Sequence, residues 1–193
     1  MNKRVIVRIA IVIGVIALFA VLALVLRRGG NPSDAQPTPT TSDEPAPTAS
    51  VSLPGPLSYA APAADWQSFS STSLGFSVRY PKDWVSASCG DGCIAFALAS
   101  ESDALITGVS VSPGTLADLV DQAAPYALAS ESVTLNGITW LRLTLQQPQT
   151  GNIFTSHFAE RDGEVYEVGI NTTEQSLLDR YASILRSFSF LKK

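Results

Sequence analysis

The sequence predicts an α+β domain built on an antiparallel β-sheet with chain packed on both faces, preceded by one transmembrane helix and a Pro/Thr/Ser-rich linker. Three observations give this prediction. An unbroken apolar run fills residues 9–26, and eight of the twelve prolines lie between residues 29 and 64. From Trp66 onward, apolar and polar residues alternate between tight-turn dipeptides, as in half-buried strands.

The apolar run reads IAIVIGVIALFAVLALVL, without a charge or a proline. At about 1.5 Å per residue, about 18 residues form a helix about 27 Å long, close to the hydrocarbon thickness of a bilayer. A buried core helix would keep a polar face, which this run lacks. A cleaved signal peptide fits the flanking charges, but no small-residue cleavage pattern follows. The sequence therefore favours an uncleaved anchor over a cleaved signal peptide.

Basic residues flank the run unequally, with Lys3, Arg4 and Arg8 before it and Arg27 and Arg28 after it. The positive-inside rule places the more basic flank in the cytoplasm. We therefore expect a single-pass protein of the cell membrane, with a cytoplasmic N-terminus (1–8) and an extracytoplasmic C-terminal domain.

Residues 29–64 predict a disordered, partly extended linker, because Pro, Thr, Ser and Ala bury too little surface to offset the entropy of ordering. Residues 66–193 are long enough for one domain with its own core. From Trp66 onward there are eight Lys or Arg and 13 Asp or Glu, a formal charge of −5. A domain of that sign has no electrostatic footprint for nucleic acid.

The domain opens with an alternating strand, Gly75–Tyr80, followed by a turn at 81–83 and a strand from Trp84 to Cys89. Further strands are predicted at 94–98 and 105–112. Thr115, three residues before Asp118, has the spacing of a capping box for a helix that Pro125 should end or kink. Thr172 and Gln175 predict a cap for a second helix near the C-terminus.

Hairpins fill the region between the two helices. Asn136-Gly137 and Asp162-Gly163 are typical of two-residue hairpin turns. For the hairpin near Pro148, a four-residue loop puts three leucines on the face of Phe154 and Phe158. The other face then also collects apolar residues, so the sheet needs a layer on each side. The residues of that other face are Val133, Leu135, Ile138, Trp140, Arg142, His157, Tyr166, Val168 and Ile170.

The start GFSVRYPKDW and the end VYEVGINTTEQSLLDRYASILRSFSF together resemble the PsbP-like family, whose fold is shared with the yeast Ran-binding nuclear-transport factor. The resemblance covers nearly all of residues 66–191 and identifies the chain as similar to a bacterial membrane-anchored member. It implies an α/β/α sandwich around an antiparallel β-sheet. It also implies a binding or accessory role, since characterised members are proteins of that kind.

Cys89 and Cys93 flank a Gly-rich loop at a predicted hairpin turn. A structural disulfide is the favoured interpretation, because such cysteines can approach bonding distance in an oxidising compartment. A redox-active pair is the second interpretation. It is less favoured because the thioredoxin-type motif separates its cysteines by two residues, whereas Cys89 and Cys93 are separated by three. A metal site would need two further ligands, and neither a metal nor a cofactor is expected.

The same register places His157, the only histidine, opposite Arg142 and near Trp140. A base beside a cation has a lowered pKa, so Trp140, Arg142 and His157 are candidate binding residues. A structural polar pair, half covered by a helix, is nevertheless the favoured interpretation of Arg142 and His157. No nucleophile lies in a G-x-S-x-G turn, and no catalytic residue is predicted.

Three hypotheses remain from the sequence. The first is a non-enzymatic, membrane-anchored extracytoplasmic domain that binds or supports an unidentified protein of the cell envelope. The second is a thiol-disulfide or metal-dependent envelope enzyme that uses Cys89 and Cys93. The third is a purely structural envelope protein.

Overall fold

The computed structural model describes residues 53–101, 105–148 and 150–192. The predicted N-terminal segment 1–8, the membrane span 9–26 and most of the linker lie outside these ranges. Within them, no helix has both the length and the apolar character needed to cross a bilayer.

The described residues form ten strands and two α-helices in an α+β arrangement. The strands are β1 Gln67–Ser71, β2 Phe76–Tyr80, β3 Trp84–Gly90, β4 Cys93–Leu98, β5 Leu105–Pro113, β6 Ala127–Leu135, β7 Ile138–Gln146, β8 Ile153–Arg161, β9 Glu164–Ile170 and β10 Ser189–Phe190. The helices are α1 Leu116–Ala123 and α2 Gln175–Ser187, and 3-10 turns span Ala99–Glu101 and Ala124–Tyr126.

Two antiparallel sheets organise these strands. The larger has seven strands in the order β3-β4-β5-β9-β8-β7-β6, and the smaller has the order β1-β2-β10. The antiparallel pairing and the two helices confirm the predicted α+β class with an antiparallel β-sheet. The second sheet differs from the prediction of one sheet between helical layers, because the opening strand β2 pairs with β1 and β10 and not with the main sheet.

The predicted hairpin turns are present. Asn136 and Gly137 have φ angles of 51° and 76°, and Asp162 and Gly163 have 55° and 77°. Positive φ at both central positions is the geometry that matches the twist of a two-residue hairpin.

The predicted middle register is also correct: Leu145 pairs with Phe154, Leu141 with Phe158, and Arg142 with His157.

Both faces of the seven-stranded sheet are covered, as its pattern predicts. One face packs α1 through Ala123 against Leu143, Leu145, Phe158 and Val165. The other face joins the main core with α2 and the smaller sheet. Phe188, just after α2, is central there: its ring stacks on Phe76 at 5.5 Å and meets the edge of Trp140 at 5.0 Å.

The helix caps agree with the sequence at one helix and differ at the other. Thr115 caps α1, its side chain accepting a hydrogen bond from the Asp118 N–H. The Glu160 carboxylate, from β8, accepts another from the Leu116 N–H at 2.8 Å. The α2 cap is Glu174, not Thr172, and no side chain closes it. Thr172 instead accepts a hydrogen bond from the Glu174 N–H, so its hydroxyl orders the approach to the helix.

Residues 53–64, assigned to the linker by composition, contact the domain, and we call them the strap. Leu57 and Tyr59 pack against the main core. The Gln175 side-chain amide donates a hydrogen bond to the Pro56 carbonyl at 3.2 Å. The Arg79 guanidinium donates to the carbonyls of Ala63 and Ala64, each at 3.0 Å. These contacts join the last part of the predicted linker, which ends at residue 64, to the domain despite its Pro/Ala-rich composition.

Candidate functional site

His157 lies at the centre of the candidate site and is fully buried. Strand β8 places it between Arg142 on β7 and Val168 on β9. Its Nε2 is 2.8 Å from the Tyr59 hydroxyl, and its Nδ1 is 2.6 Å from the Tyr181 hydroxyl. The strap thus supplies one partner of the imidazole and α2 supplies the other.

The hydrogen bonds fix the tautomer of His157. The Tyr181 hydroxyl donates its one proton to the Val168 carbonyl at 2.7 Å. Its oxygen must therefore accept the proton on His157 Nδ1, which leaves Nε2 as an acceptor for the Tyr59 hydroxyl. Tyr59, His157, Tyr181 and the Val168 carbonyl form one directed chain, which we call the histidine network.

Burial and charge both keep the imidazole neutral. Desolvation, together with the positive charge of Arg142, lowers the pKa of His157 to about 3. Burial also raises the pKa of Tyr59 to about 12, partly opposed by Arg142, and raises the pKa of Tyr181. At neutral pH every member of the network is therefore uncharged, and its bonds are between neutral groups.

Arg142 links this network to the surface. Its Nη1 lies 2.7 Å from Glu131 Oε1, and the side chains are 13% and 56% exposed respectively. The positive charge of Arg142 also lowers the pKa of Tyr59, against the larger opposite effect of burial. The buried Arg142 Nε has no hydrogen-bond partner among the described residues. The guanidinium charge therefore acts on both Tyr59 and His157, and the Tyr59 hydroxyl is bonded to His157.

The structure brings two of the three predicted binding candidates together and places the third in the core. Arg142 and His157 come together, as their register predicts. Trp140 lies on the same strand but is fully buried in the core, where its ring meets Phe188. Tyr59 and Tyr181 complete the network and were not among the candidates. Tyr59 had a weak signal in the sequence, as an aromatic residue two positions after Leu57 in an otherwise Pro/Ala-rich segment.

Cys89 and Cys93 are bonded, which confirms the predicted pair. Their Cα atoms are 5.2 Å apart, and Cys89 is 6% exposed. The bond closes the tip of the β3–β4 hairpin, next to a register shift between Ser88 and Gly90. This position, at a turn and away from His157, is typical of a structural disulfide.

Acidic side chains near the Asp162-Gly163 turn have partners within the protein. Glu160 bonds the start of α1. The half-buried Glu167 accepts hydrogen bonds from Ser156 at 2.8 Å and Ser110 at 3.3 Å, and burial raises its pKa. In the ranges that the structure describes, no three His, Cys, Asp or Glu side chains form a group that could hold a metal ion.

The arrangement holds the strap against the sheet and α2. Both ring nitrogens of His157 are occupied, and the neutral ring has no path to solvent in the described residues. A general base needs a free lone pair within reach of the substrate proton. His157 has none, so its role in this structure is to position Tyr59 and Tyr181.

Comparison with solved structures finds the solution structure of cyanobacterial PsbP (CyanoP) from Synechocystis sp. PCC 6803. It has 18% sequence identity and a TM-score of 0.48, over 67% of this chain and 94% of that chain. A crystal structure from Bacteroides thetaiotaomicron VPI-5482 has 18% identity and a TM-score of 0.44, over 65% of this chain and 48% of that chain. The match spans about half of that second protein.

No family model and no curated protein matches the chain. The two structures supply no functional residue. The chain is thus similar to a structure of cyanobacterial PsbP, the family that its sequence resembles.

Proposed function

We propose that this chain is a single-pass membrane protein whose extracytoplasmic domain binds or supports another component of the cell envelope and performs no catalysis. The closed histidine network is the observation that supports this most. The residue best suited to acid–base chemistry at neutral pH is buried, fully hydrogen-bonded and neutral. An enzyme built around it would first have to remove the strap.

The proposed location rests on the sequence and the disulfide. Residues 9–26 are apolar and long enough to span a bilayer, with the more basic flank before them. The Cys89–Cys93 bond would persist in an oxidising compartment, whereas the cytosol keeps thiols reduced. The spacer after the apolar run would hold the domain away from the membrane.

A protein partner fits the surface better than nucleic acid does. The domain is acidic, and four of its basic side chains are already paired with carboxylates, at Asp65, Asp83, Glu131 and Asp162. Pairing leaves little positive charge to neutralise a phosphate backbone. A binding role for the domain therefore points to another protein of the envelope.

Protease added to intact cells tests the location. We expect the C-terminal part to be digested, and its survival until lysis would contradict the proposal.

Cross-linking in intact cells tests the binding role. Repeated capture of one protein supports a binding module, and capture of none supports a purely structural element. Robust turnover by the purified protein on any substrate class, lost on one point mutation, would contradict the non-enzymatic part.

A further inference from the structure

The two edge strands of the seven-stranded sheet, β3 and β6, differ in how well they are protected from pairing with another chain. Along β3, the Gln67 side chain donates to the carbonyls of Lys82 at 3.0 Å and Trp84 at 3.4 Å. A register shift and the disulfide distort the other end of β3. Side-chain capping and bulges are ways in which proteins protect an edge from pairing with another chain.

The β6 edge has little such protection. All but two of its nine residues are exposed, and it contains no lysine and no proline. Its one charge, Glu131, is paired with Arg142 of the neighbouring strand. A register shift between Ala127 and Ala129 affects only the first part of the strand. The stretch from Ser130 to Leu135 is therefore a regular, nearly uncharged edge.

The groups that this edge presents follow from the hairpin. The two-residue turn makes Leu135 and Ile138 a hydrogen-bonded pair. Hydrogen bonding alternates along an antiparallel pair, so the backbone N–H and C=O groups of Ser130, Ser132 and Thr134 point away from β7. No described residue bonds to them. Three consecutive donor–acceptor pairs thus face outward.

We propose that β6 is a self-association edge, at which a second copy of this chain adds its own β6 in antiparallel orientation about a twofold axis at Ser132. That register places Ser132 opposite itself and Ser130 opposite Thr134, which aligns all the outward groups and forms about six backbone hydrogen bonds. Glu131 then lies opposite Val133. An axis at Glu131 would instead place two carboxylates directly opposite each other, which is unfavourable.

A second copy fits this edge better than an unrelated strand does, because the edge is complementary to itself. The small Ser and Thr side chains let two strands approach without steric conflict, and cross-strand Ser/Thr pairs are favourable. The contact is small, and both copies are acidic, so pairing in dilute solution is weak. Tethering to one membrane, which rests on the proposed function, raises the local concentration of copies.

Cysteine cross-linking of the full chain in intact cells tests the pairing. At a twofold hydrogen-bonded pair the Cα atoms are about 5.5 Å apart, within disulfide range. Ser132→Cys should therefore give a disulfide-linked dimer under mild oxidation. The native cysteines are bonded to each other and leave no free thiol in the described chain. Val85→Cys, at an exposed position on the β3 edge, is the matched control and should stay monomeric.

A charge variant gives the second measurement. Ser132→Lys places two ammonium groups at the axis, and Ser132 is exposed, so the monomer should fold normally. We expect at least about a fivefold weaker dimer in sedimentation of the detergent-solubilised full chain, at concentrations where the parent chain is partly dimeric, with unchanged thermal unfolding. Absence of the Ser132→Cys dimer, an equal dimer with Val85→Cys, or unaltered sedimentation would each overturn the proposal. If the Ser132→Cys chain is recovered outside the membrane fraction and still cross-links, that result would contradict the proposed membrane tether and support the pairing.

Discussion

Replacing Tyr59 with phenylalanine removes one hydroxyl group from the histidine network and keeps the ring that packs on the core. The hydroxyl donates to His157 Nε2 at 2.8 Å. Without it, a buried acceptor has no partner, which costs about 1–3 kcal/mol. Because Tyr59 is only half-buried, water can reach part of the space. We therefore expect the lower part of that range, about 1–2 kcal/mol.

Urea unfolding of the purified protein would measure this loss as a lower midpoint at unchanged slope. Thermal unfolding should show a midpoint lower by about 3–8 °C. Tyr80→Phe is the matched control: it also deletes a phenol hydroxyl, and Tyr80 is buried with its ring against Phe96. The Tyr80 hydroxyl has no hydrogen-bond partner among the described residues, so this variant should change stability little.

Equal stability of the Tyr59→Phe variant, the Tyr80→Phe variant and the parent would refute the reasoning. It would mean that the Tyr59 hydroxyl contributes nothing to the binding of the strap. Hydrogen exchange separates the two cases, since loss of the hydroxyl should speed exchange of the amides of residues 57–61 before any change in the core strands.

Further predictions concern the imidazole, the disulfide and the first helix. His157 is neutral when folded, with its pKa lowered to about 3 from 6.5, so its stabilisation is complete above pH 6.5 and is lost as the pH falls toward 3. His157→Gln should flatten that part of a stability–pH profile, whereas Glu167, whose raised pKa acts in the opposite direction, should still contribute. Replacing Cys89 and Cys93 together with serine should cost about 2 kcal/mol in urea unfolding, because the closed loop is short. Thr115→Ala should cost about 1 kcal/mol in the same assay through loss of the α1 cap, and Thr115→Asp should restore most of it.

Local sequence was sufficient to predict the hairpins. Asn136-Gly137 and Asp162-Gly163 require positive φ, and few other dipeptides accept it. The match between the leucines of β7 and Phe154 then set the register, which placed Arg142 opposite His157. This part of the site follows from periodicity, because a slip of one residue would reverse every side chain.

The missed parts depend on contacts between residues distant in sequence. Tyr59 and His157 are 98 positions apart, and the Pro/Ala-rich composition around Tyr59 favours a linker. Strand β10 has only two residues, Ser189 and Phe190, too few for an alternation to be recognised. Trp140 was grouped with the site by its face, but the same face also carries the core. Composition and periodicity predict the face of a strand on which a side chain lies, but not the residues that it contacts in the folded domain.

Phe188 sets the order in which this molecule can mature. Its ring contacts Phe76, Trp140, Tyr166 and Phe190, which lie in both sheets. Because Phe188 follows nine of the ten described strands in sequence, the aromatic centre can assemble only after those strands have been synthesised. Until then, the domain lacks the ring that joins its two sheets.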